Sequence, residues 1–356
     1  MQPFDIRPLR SDEDASWDAF VSRSPNGNAF LLSEALYALA ANETPVASVR
    51  RIGVFAVGTS TLEAGWAVLV RRRAGVRYCS SFPLFYAGPL LAPEWNEPSR
   101  MTQRMDLLCG LTKEMQQGLD SLDTEAAPNL ADVRGLIYAG CVIEQIYCHI
   151  WPACTPEELT KLPNRSKRQE AASAAKRHVF GWRQADPNLL ETFDRLHNQT
   201  LRKFKWVASE AWRKALLKNI ATLETQGICR VFGAAPLSEP ERPCALVTVL
   251  FSHDHRTAWL WRVAYQTDDS GLIPALYLQV AERIKKEHGA EWVVNFGGSP
   301  NLSLARFKDY LGATPVSHWR IRWQRDSLKM IYWNFLVVLK EFVRRRLTLW
   351  HIFRPQ

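Results

Sequence analysis

Between Ser270 and Trp323 the spacing of apolar positions changes again and again, and each change predicts a new element. Ser270-Gly271 with Pro274 reads as a helix start, because a first turn does not need the N–H that proline lacks. Ile273, Leu276, Tyr277, Val280, Ala281 and Ile284 then recur with helical period and give one buried face, and Gly289 supplies a left-handed stop. Trp292 to Phe296 is a short apolar run that reads as a buried strand, broken by Gly297-Gly298-Ser299-Pro300. A second helix carries Leu304, Phe307 and Leu311 and stops at Gly312. Trp319, Ile321 and Trp323 alternate with Arg320 and Arg322, a strand with one apolar and one basic face.

Upstream, Ser33–Leu39 has helical spacing after Phe30. The β-rich runs Val46–Phe55 and Leu62–Arg71 flank Gly58-Thr59-Ser60 as a hairpin. Val76–Ser81 is a third strand. It leads into Phe82-Pro83-Leu84-Phe85-Tyr86-Ala87-Gly88-Pro89, whose prolines and glycine predict a fixed loop with Tyr86 exposed to a ligand. Met101–Leu122 reads as an amphipathic helix, Arg134–Ile146 as a strand region, and Pro152–Pro163 as a linker. An alanine-rich helix follows to His178, then helices over Leu189–Trp206 and Trp212–Thr225. Strands are predicted over Cys229–Gly233, Ala245–Ser252 and Thr257–Tyr265.

At 356 residues, 47% hydrophobic and 23% charged, the composition is that of an ordinary globular chain of one large or two medium domains. The seven cysteines form no C-x-x-C pair, which suggests reduced thiols in a cytosol. Met1–Arg10 lacks the apolar core of a signal peptide, and no apolar run is long enough to span a bilayer. The net charge of +9 is clustered. Arg165–Arg183 and Arg202–Lys218 each hold six basic residues against one acid, and Asp326–Gln356 holds six against two. Such clustering points to an anionic partner. No nucleophile elbow, phosphate loop, dinucleotide fingerprint or H-E-x-x-H helix is present, and His253-Asp254-His255 reads as a turn, so no metal is expected.

Asn295-Phe296-Gly297-Gly298-Ser299, followed by Leu304-Ala305-Arg306-Phe307-Lys308-Asp309-Tyr310-Leu311-Gly312 and Ala313, resembles the end of the second repeat in the Fem-type and CelD/BcsL-type branch of the GNAT superfamily. The order of elements from Phe30 to Trp323 is similar to that family's. The resemblance implies an α/β (α+β) fold of two tandem GNAT-like repeats, each a mixed, mostly antiparallel sheet flanked by helices. The repeats would occupy residues 1–155 and 156–325, with a basic amphipathic C-terminal helix over 326–356.

It also implies N-acyl transfer by direct attack of an amine on an acyl carbonyl, for which the protein orients substrates and supplies oxyanion donors. Backbone N–H groups of Trp261–Tyr265 would serve as those donors, with Arg262, Tyr265 and Asp269 as candidate catalytic residues. Asp268 and Asp269 are candidate bases, though as residues they read first as turn and helix-cap positions. Gln266, Gly271, Leu272 and Ala275 match the cofactor-binding turn and helix N-terminus. That stretch has two acids and one glycine where the acetyl-CoA pattern has glycines, a poor pyrophosphate cradle. The donor is therefore left open between acyl-CoA, another acyl thioester on a carrier protein, and aminoacyl-tRNA. Lys308, Asn295, Arg202, Lys203 and Tyr86 are the candidate substrate-binding residues, Lys308 as a phosphate ligand.

The implied acceptor is a small-molecule or lipid-linked anionic precursor of envelope or polysaccharide. With aminoacyl-tRNA as donor, residues 165–218 would form its platform. The tail interleaves Lys340, Arg344, Arg345, Arg346 and Arg354 with Phe342, Leu347, Trp350 and Phe353, which suits an anionic membrane surface or a helix packed on the core. The resulting expectation is a cytoplasmic protein, peripheral on the inner face of the membrane. The alternative is an inactive GNAT-like scaffold bound there.

Overall fold

The computed structural model describes residues 4–43, 46–80, 83–84, 86–204, 206–266, 269–299, 301–333 and 335. The expected C-terminal helix therefore lies mostly outside the described residues. The first repeat starts with strand β1 (Phe4–Pro8) and helices α1 (Asp14–Arg23) and α2 (Ser33–Asn42). The predicted hairpin follows as β2 (Ser48–Ala56) and β3 (Leu62–Arg73), then β4 (Val76–Ser80) and the short β5 (Leu90–Leu91).

Helix α3 (Met101–Gln116) ends six residues before the predicted limit, because Gly118 turns the chain at φ 69° and β6 (Ser121–Glu125) begins. The region predicted as strand over Arg134–Ile146 divides at Gly140, φ 85°. Helix α4 (Arg134–Tyr138) precedes it and strand β7 (Val142–Trp151) follows. The predicted linker holds one helical turn, α5 (Pro156–Leu159), closed by a Thr155/Glu158 capping box.

The second repeat runs through α6 (Arg165–Ala175), which stops three residues short of the predicted helix end, and strand β8 (His178–Arg183), which the sequence pattern does not predict. Helices α7 (Pro187–Lys203) and α8 (Glu210–Thr225) come next, then the meander β9 (Cys229–Pro236), β10 (Ala245–Ser252) and β11 (Thr257–Tyr265). Helix α9 (Leu272–His288), β12 (Val293–Gly298), α10 (Leu302–Tyr310) and β13 (Thr314–Gln324) complete it, close to the pattern read from the sequence.

Among the described residues all these strands join one sheet in the order β1-β2-β3-β4-β6-β13-β7-β12-β11-β10-β9-β8, with β5 paired to β3. The two repeats exchange their last strands. β13 lies between β6 and β7, and β7 lies between β13 and β12. The β7–β13 ladder runs antiparallel from Thr314↔Ile150 to Arg322↔Val142. Its basic face is neutralised: Arg320 makes a two-point contact with Asp123 at 2.8 and 2.7 Å, and Arg322 pairs with Glu144 at 3.2 Å.

Apolar side chains from both repeats merge above this sheet. One continuous core holds Trp17, Phe30 and Trp66 of the first repeat with Phe193, Leu246 and Trp259 of the second. The other face of the second repeat is a separate core under α9, formed by Leu276, Val280 and Ile284 against Val247, Val249 and Ala258.

Because each repeat borrows a strand, neither half carries a complete sheet. Residues 1–155 produced alone are expected to be insoluble or to self-associate, whereas co-expression with residues 156–356 restores a soluble pair. Size-exclusion chromatography checks this; a monomeric, cooperatively melting 1–155 fragment would contradict it.

Candidate active site

Strands β11 and β12 are parallel neighbours for only three residue pairs: Thr257↔Val293, Ala258↔Val294 and Trp259↔Asn295. Beyond Trp259 they part, β11 continuing to Tyr265 and β12 to Gly298. A bulge sits just past the parting point. Thr248 pairs with Arg262 and Val249 with Leu260, so Trp261 is the extra residue on β11. The part of β11 beyond the fork lies outside its ladder with β12.

The base of the fork is closed by a residue of the other repeat. The Tyr86 hydroxyl accepts a hydrogen bond from Asn295 Nδ2 at 2.9 Å, and the Tyr86 ring meets the His318 ring edge-on at 5.2 Å. Tyr86 is therefore buried, at 4% exposure, and not the exposed residue that the sequence predicts. Its backbone has φ 49°, a left-handed conformation that costs a non-glycine residue roughly 1–2 kcal/mol. Packing holds it there: the carbonyl of the next residue, Ala87, accepts a bond from Trp66 Nε1 at 2.7 Å, and Gly88 lies so close to Ala126 that a Cβ would come within 2.6 Å of its Cα.

Asn295 is held by the loop after it, since its Oδ1 accepts the Gly297 N–H at 2.7 Å, where Gly297 takes φ 67°. The Cys148 thiol of β7 lies 4.0 Å from Asn295 Nδ2 and within hydrogen-bonding reach of Tyr86 and His318. His318 Nε2 is 3.5 Å from a Glu125 carboxylate oxygen. Tyr86, Cys148, Asn295, His318 and Glu125 thus form one polar cluster drawn from both repeats. Of these, Cys148, His318 and Glu125 were not singled out by the sequence.

Burial pushes the Tyr86 phenol well above its ordinary value, with the Cys148 thiol adding to the shift, so it stays protonated. Burial opposes charge on His318 too, but its bonds to Cys148 and Glu125 outweigh that and raise it to about 9. The fork therefore has a neutral phenol and an imidazolium at its base.

Lys308 is also buried, and its ammonium points at protein. Nζ donates to the carbonyls of Phe296, Gly297 and Gly298 at 3.0, 2.9 and 2.7 Å, which uses all three protons and fixes the end of β12. Burial lowers it to about 8. Beside it, on the opposite face of β7 from Cys148, His149 Nδ1 lies 3.1 Å from Ser299 Oγ and Nε2 lies 3.2 Å from Asp309 Oδ1. Burial, then the Lys308 charge, lowers the His149 pKa, leaving the ring neutral at physiological pH.

The remaining candidates line the β11 arm. The Arg262 amide donates to Thr248 Oγ1 at 3.0 Å, and burial lowers its guanidinium to about 10. The Tyr265 amide donates to Thr200 Oγ1 at 2.8 Å, and the Lys203 ammonium sits 4.7 Å from the centre of the Tyr265 ring. These two amides of β11 are accordingly engaged by side chains. Gln266 Oε1 accepts from Arg195 at 3.3 Å, and Arg202 is exposed on the last turn of α7.

The N-terminus of α9 is closed. Asp269 accepts the Gly271 N–H at 3.0 Å through its side chain and the Leu272 N–H at 3.1 Å through its carbonyl, and pairs with Arg177 at 2.6 Å, a turn ahead of the N-cap residue Gly271. Leu272 is buried in the core under α9, Ala275 is buried against Ala171 and Ala174 of α6, and a Cβ on Gly271 would lie 2.3 Å from the Glu170 carbonyl oxygen. Gly271, Leu272 and Ala275 thus face protein where a pyrophosphate was expected. Asp268 lies outside the described residues. Among the described residues no group of His, Cys, Asp or Glu is arranged to hold a metal ion.

No family model matches the chain, and no curated protein does. Among solved structures it is similar to FemX, with a TM-score of 0.66 and 13% identity over 90% of this chain and 98% of that one. A tandem GNAT protein from the clavulanic acid biosynthesis pathway gives 0.56 and 11%, over 90% and 98%. The C-terminal domain of a putative lysylphosphatidylglycerol synthetase from Agrobacterium fabrum gives 0.53 and 11%, over 92% and 97%. At these identities the likeness establishes a Fem-type tandem GNAT fold.

Two outcomes follow from the cluster. His318 gains protons on folding, so its contribution is complete below its unfolded value near 6.5 and is lost as pH rises through about 9. His149 and the buried His197 of α7 shift the other way, so their cost to stability fades as pH rises through the unfolded value near 6.5. Between pH 6.5 and 8 the His318 contribution falls by about 1–2 kcal/mol while Lys308, lowered to about 8, contributes in the opposite direction, and His318→Gln is expected to remove the falling component in urea titrations. Lys308→Ala leaves three carbonyls without their donor and is expected to lower stability by roughly 2–4 kcal/mol; an unchanged midpoint would sink the clamp assignment.

Proposed function

We propose that the chain is an N-acyltransferase, moving an acyl or aminoacyl group to the amine of an anionic acceptor such as an envelope or polysaccharide precursor. The observation that carries this reading is the β11/β12 fork, bulged at Trp261 and based on the protonated Tyr86 hydroxyl. The amine attacks the acyl carbonyl, the C–N bond forms, and the bond to the leaving sulfur or oxygen breaks. With the Arg262 amide held by Thr248, the Trp261 N–H at the bulge would stabilise the oxyanion, and Tyr86 would give a proton to the leaving group. His149, neutral and bonded to Ser299 beside the end of β12, has the protonation state needed to take the proton from the ammonium.

The donor reading departs from acyl-CoA. With Asp269 holding the Gly271 N–H and α6 covering it, the usual pyrophosphate position offers an anion no free N–H at Gly271. That supports a donor held through a larger body, aminoacyl-tRNA or an acylated carrier protein. The exposed bases Arg165, Arg168, Lys176, Arg202, Lys203, Lys214 and Lys218 suit a polyanionic one. An anionic acceptor is supported by the net charge of +9 and by the structural neighbour named for lysylphosphatidylglycerol.

Thermal melts with millimolar CoA thioesters of several chain lengths separate the donors. No rise is expected with any of them, while charged tRNA should bind with affinity that falls steeply with salt. A rise that varies with acyl length would restore acyl-CoA as the donor. Failure of CoA thioesters, acylated carriers and charged tRNA alike would leave the scaffold reading in place of the enzyme.

A further inference from the structure

The last described helix begins at Ser327, whose carbonyl accepts the Met330 and Ile331 amides at 3.0 and 3.1 Å. Its inner side is anchored on the first repeat. Met330 is buried, Trp333 packs on Tyr78 with ring centroids 5.7 Å apart, and Lys329 pairs with Asp120 at 2.7 Å. Its outer side is apolar and in water: Leu328, Ile331, Tyr332 and Phe335 are 85, 67, 62 and 61% exposed. Their spacing of three, four and seven residues puts them in one stripe along the helix. An anchored helix that turns four consecutive stripe positions outward has been placed, by its own contacts, with its apolar side away from the protein.

The charge beside that stripe is basic. Lys329 reaches to within 3.9 Å of the ideal Cβ position on Gly75, which brings the helix to the tip of the β3–β4 hairpin. That tip turns through Ala74 and Gly75 at φ 46° and 76°, and presents Arg72, Arg73 and Arg77 to solvent, with Arg325 entering the helix. Among the described residues Arg72, Arg73 and Arg325 make no ion pair, while the nearby acid Asp120 is neutralised by Lys329; Asp326 is the exposed acid at the helix start. The sequence beyond residue 335 continues Leu336-Val337-Val338-Leu339 and then Lys340, Arg344, Arg345, Arg346 and Arg354 against the single acid Glu341.

We propose that this surface, the Leu328–Phe335 stripe with the Arg72–Arg73 hairpin tip, docks the protein on an anionic lipid bilayer. Apolar side chains would enter the headgroup boundary while the arginines meet lipid phosphates, a combination that neither an uncharged membrane nor a purely electrostatic partner would need. A second copy of the chain fits less well, because a two-fold contact would set the same arginines against each other. The inference stands on the exposed stripe and does not depend on acyl transfer, so its failure would leave the reading of the fork intact.

The test is co-sedimentation of the full chain with vesicles of phosphatidylcholine alone or mixed with phosphatidylglycerol. Binding is expected only to the mixed vesicles, weakening with salt. Ile331→Glu combined with Phe335→Glu should abolish it, and Arg72→Glu with Arg73→Glu should weaken it by about tenfold or more. All four positions are exposed, so melting temperatures should be unchanged, which separates lost docking from lost folding. Absence of binding by the parent chain would overturn the proposal. So would equal binding by the variants, or a dimer in light scattering that Ile331→Glu dissolves without lipid present.

Discussion

The ladder between β7 and β13 is the contact on which the rest of the molecule depends. It joins Ile150 to Thr314 at one end and Val142 to Arg322 at the other, strands that close different repeats. Without it β13 and β7 would each end a sheet with an open hydrogen-bonding edge. With it, two repeats that could have met through a polar interface share one sheet and one continuous core. The exchange also fixes what faces what. Tyr86 reaches Asn295 across 209 positions because β13, carrying His318, lies between the strands that hold them apart.

Electrostatics sharpen that arrangement. Members of the buried polar cluster meet across the repeats, Tyr86 with Asn295 and His318 Nε2 with Glu125, while His318 Nδ1 has no hydrogen-bond partner among the described residues. Glu125 lets His318 keep a proton despite burial, and the phenol of Tyr86 stays neutral beside Asn295. Lys308 does comparable structural work on the neighbouring loop, where its three bonds hold carbonyls in place around Gly297. The left-handed backbone of Tyr86 is retained against its cost by this packing, a pattern found at functional positions.

Most elements of the second repeat could be read from the sequence because helix period, strand period and glycine stops agree there. Gly289 and Gly312 end α9 and α10 with positive φ, as their positions suggest. The first repeat was less legible where a glycine split a region of uniform apolar content, at Gly118 and Gly140. The site was legible only in part. Asn295 and Lys308 follow from a motif, but Lys308 faces carbonyls, which spacing does not reveal. Cys148, His318 and Glu125 occupy ordinary alternating positions on separate strands, and only the strand exchange makes them neighbours. Occlusion of Gly271 likewise depends on where α6 packs, a long-range contact with no local signature.

The contact of Tyr86 with Asn295 across the repeats is best tested by a double-mutant cycle on stability, using Tyr86→Phe, Asn295→Ala and the pair. Residues in direct hydrogen-bonded contact couple by about 0.5–3 kcal/mol, and that is the result expected here. Strict additivity would mean that the two side chains do not meet, and with it the base of the fork as described would be lost.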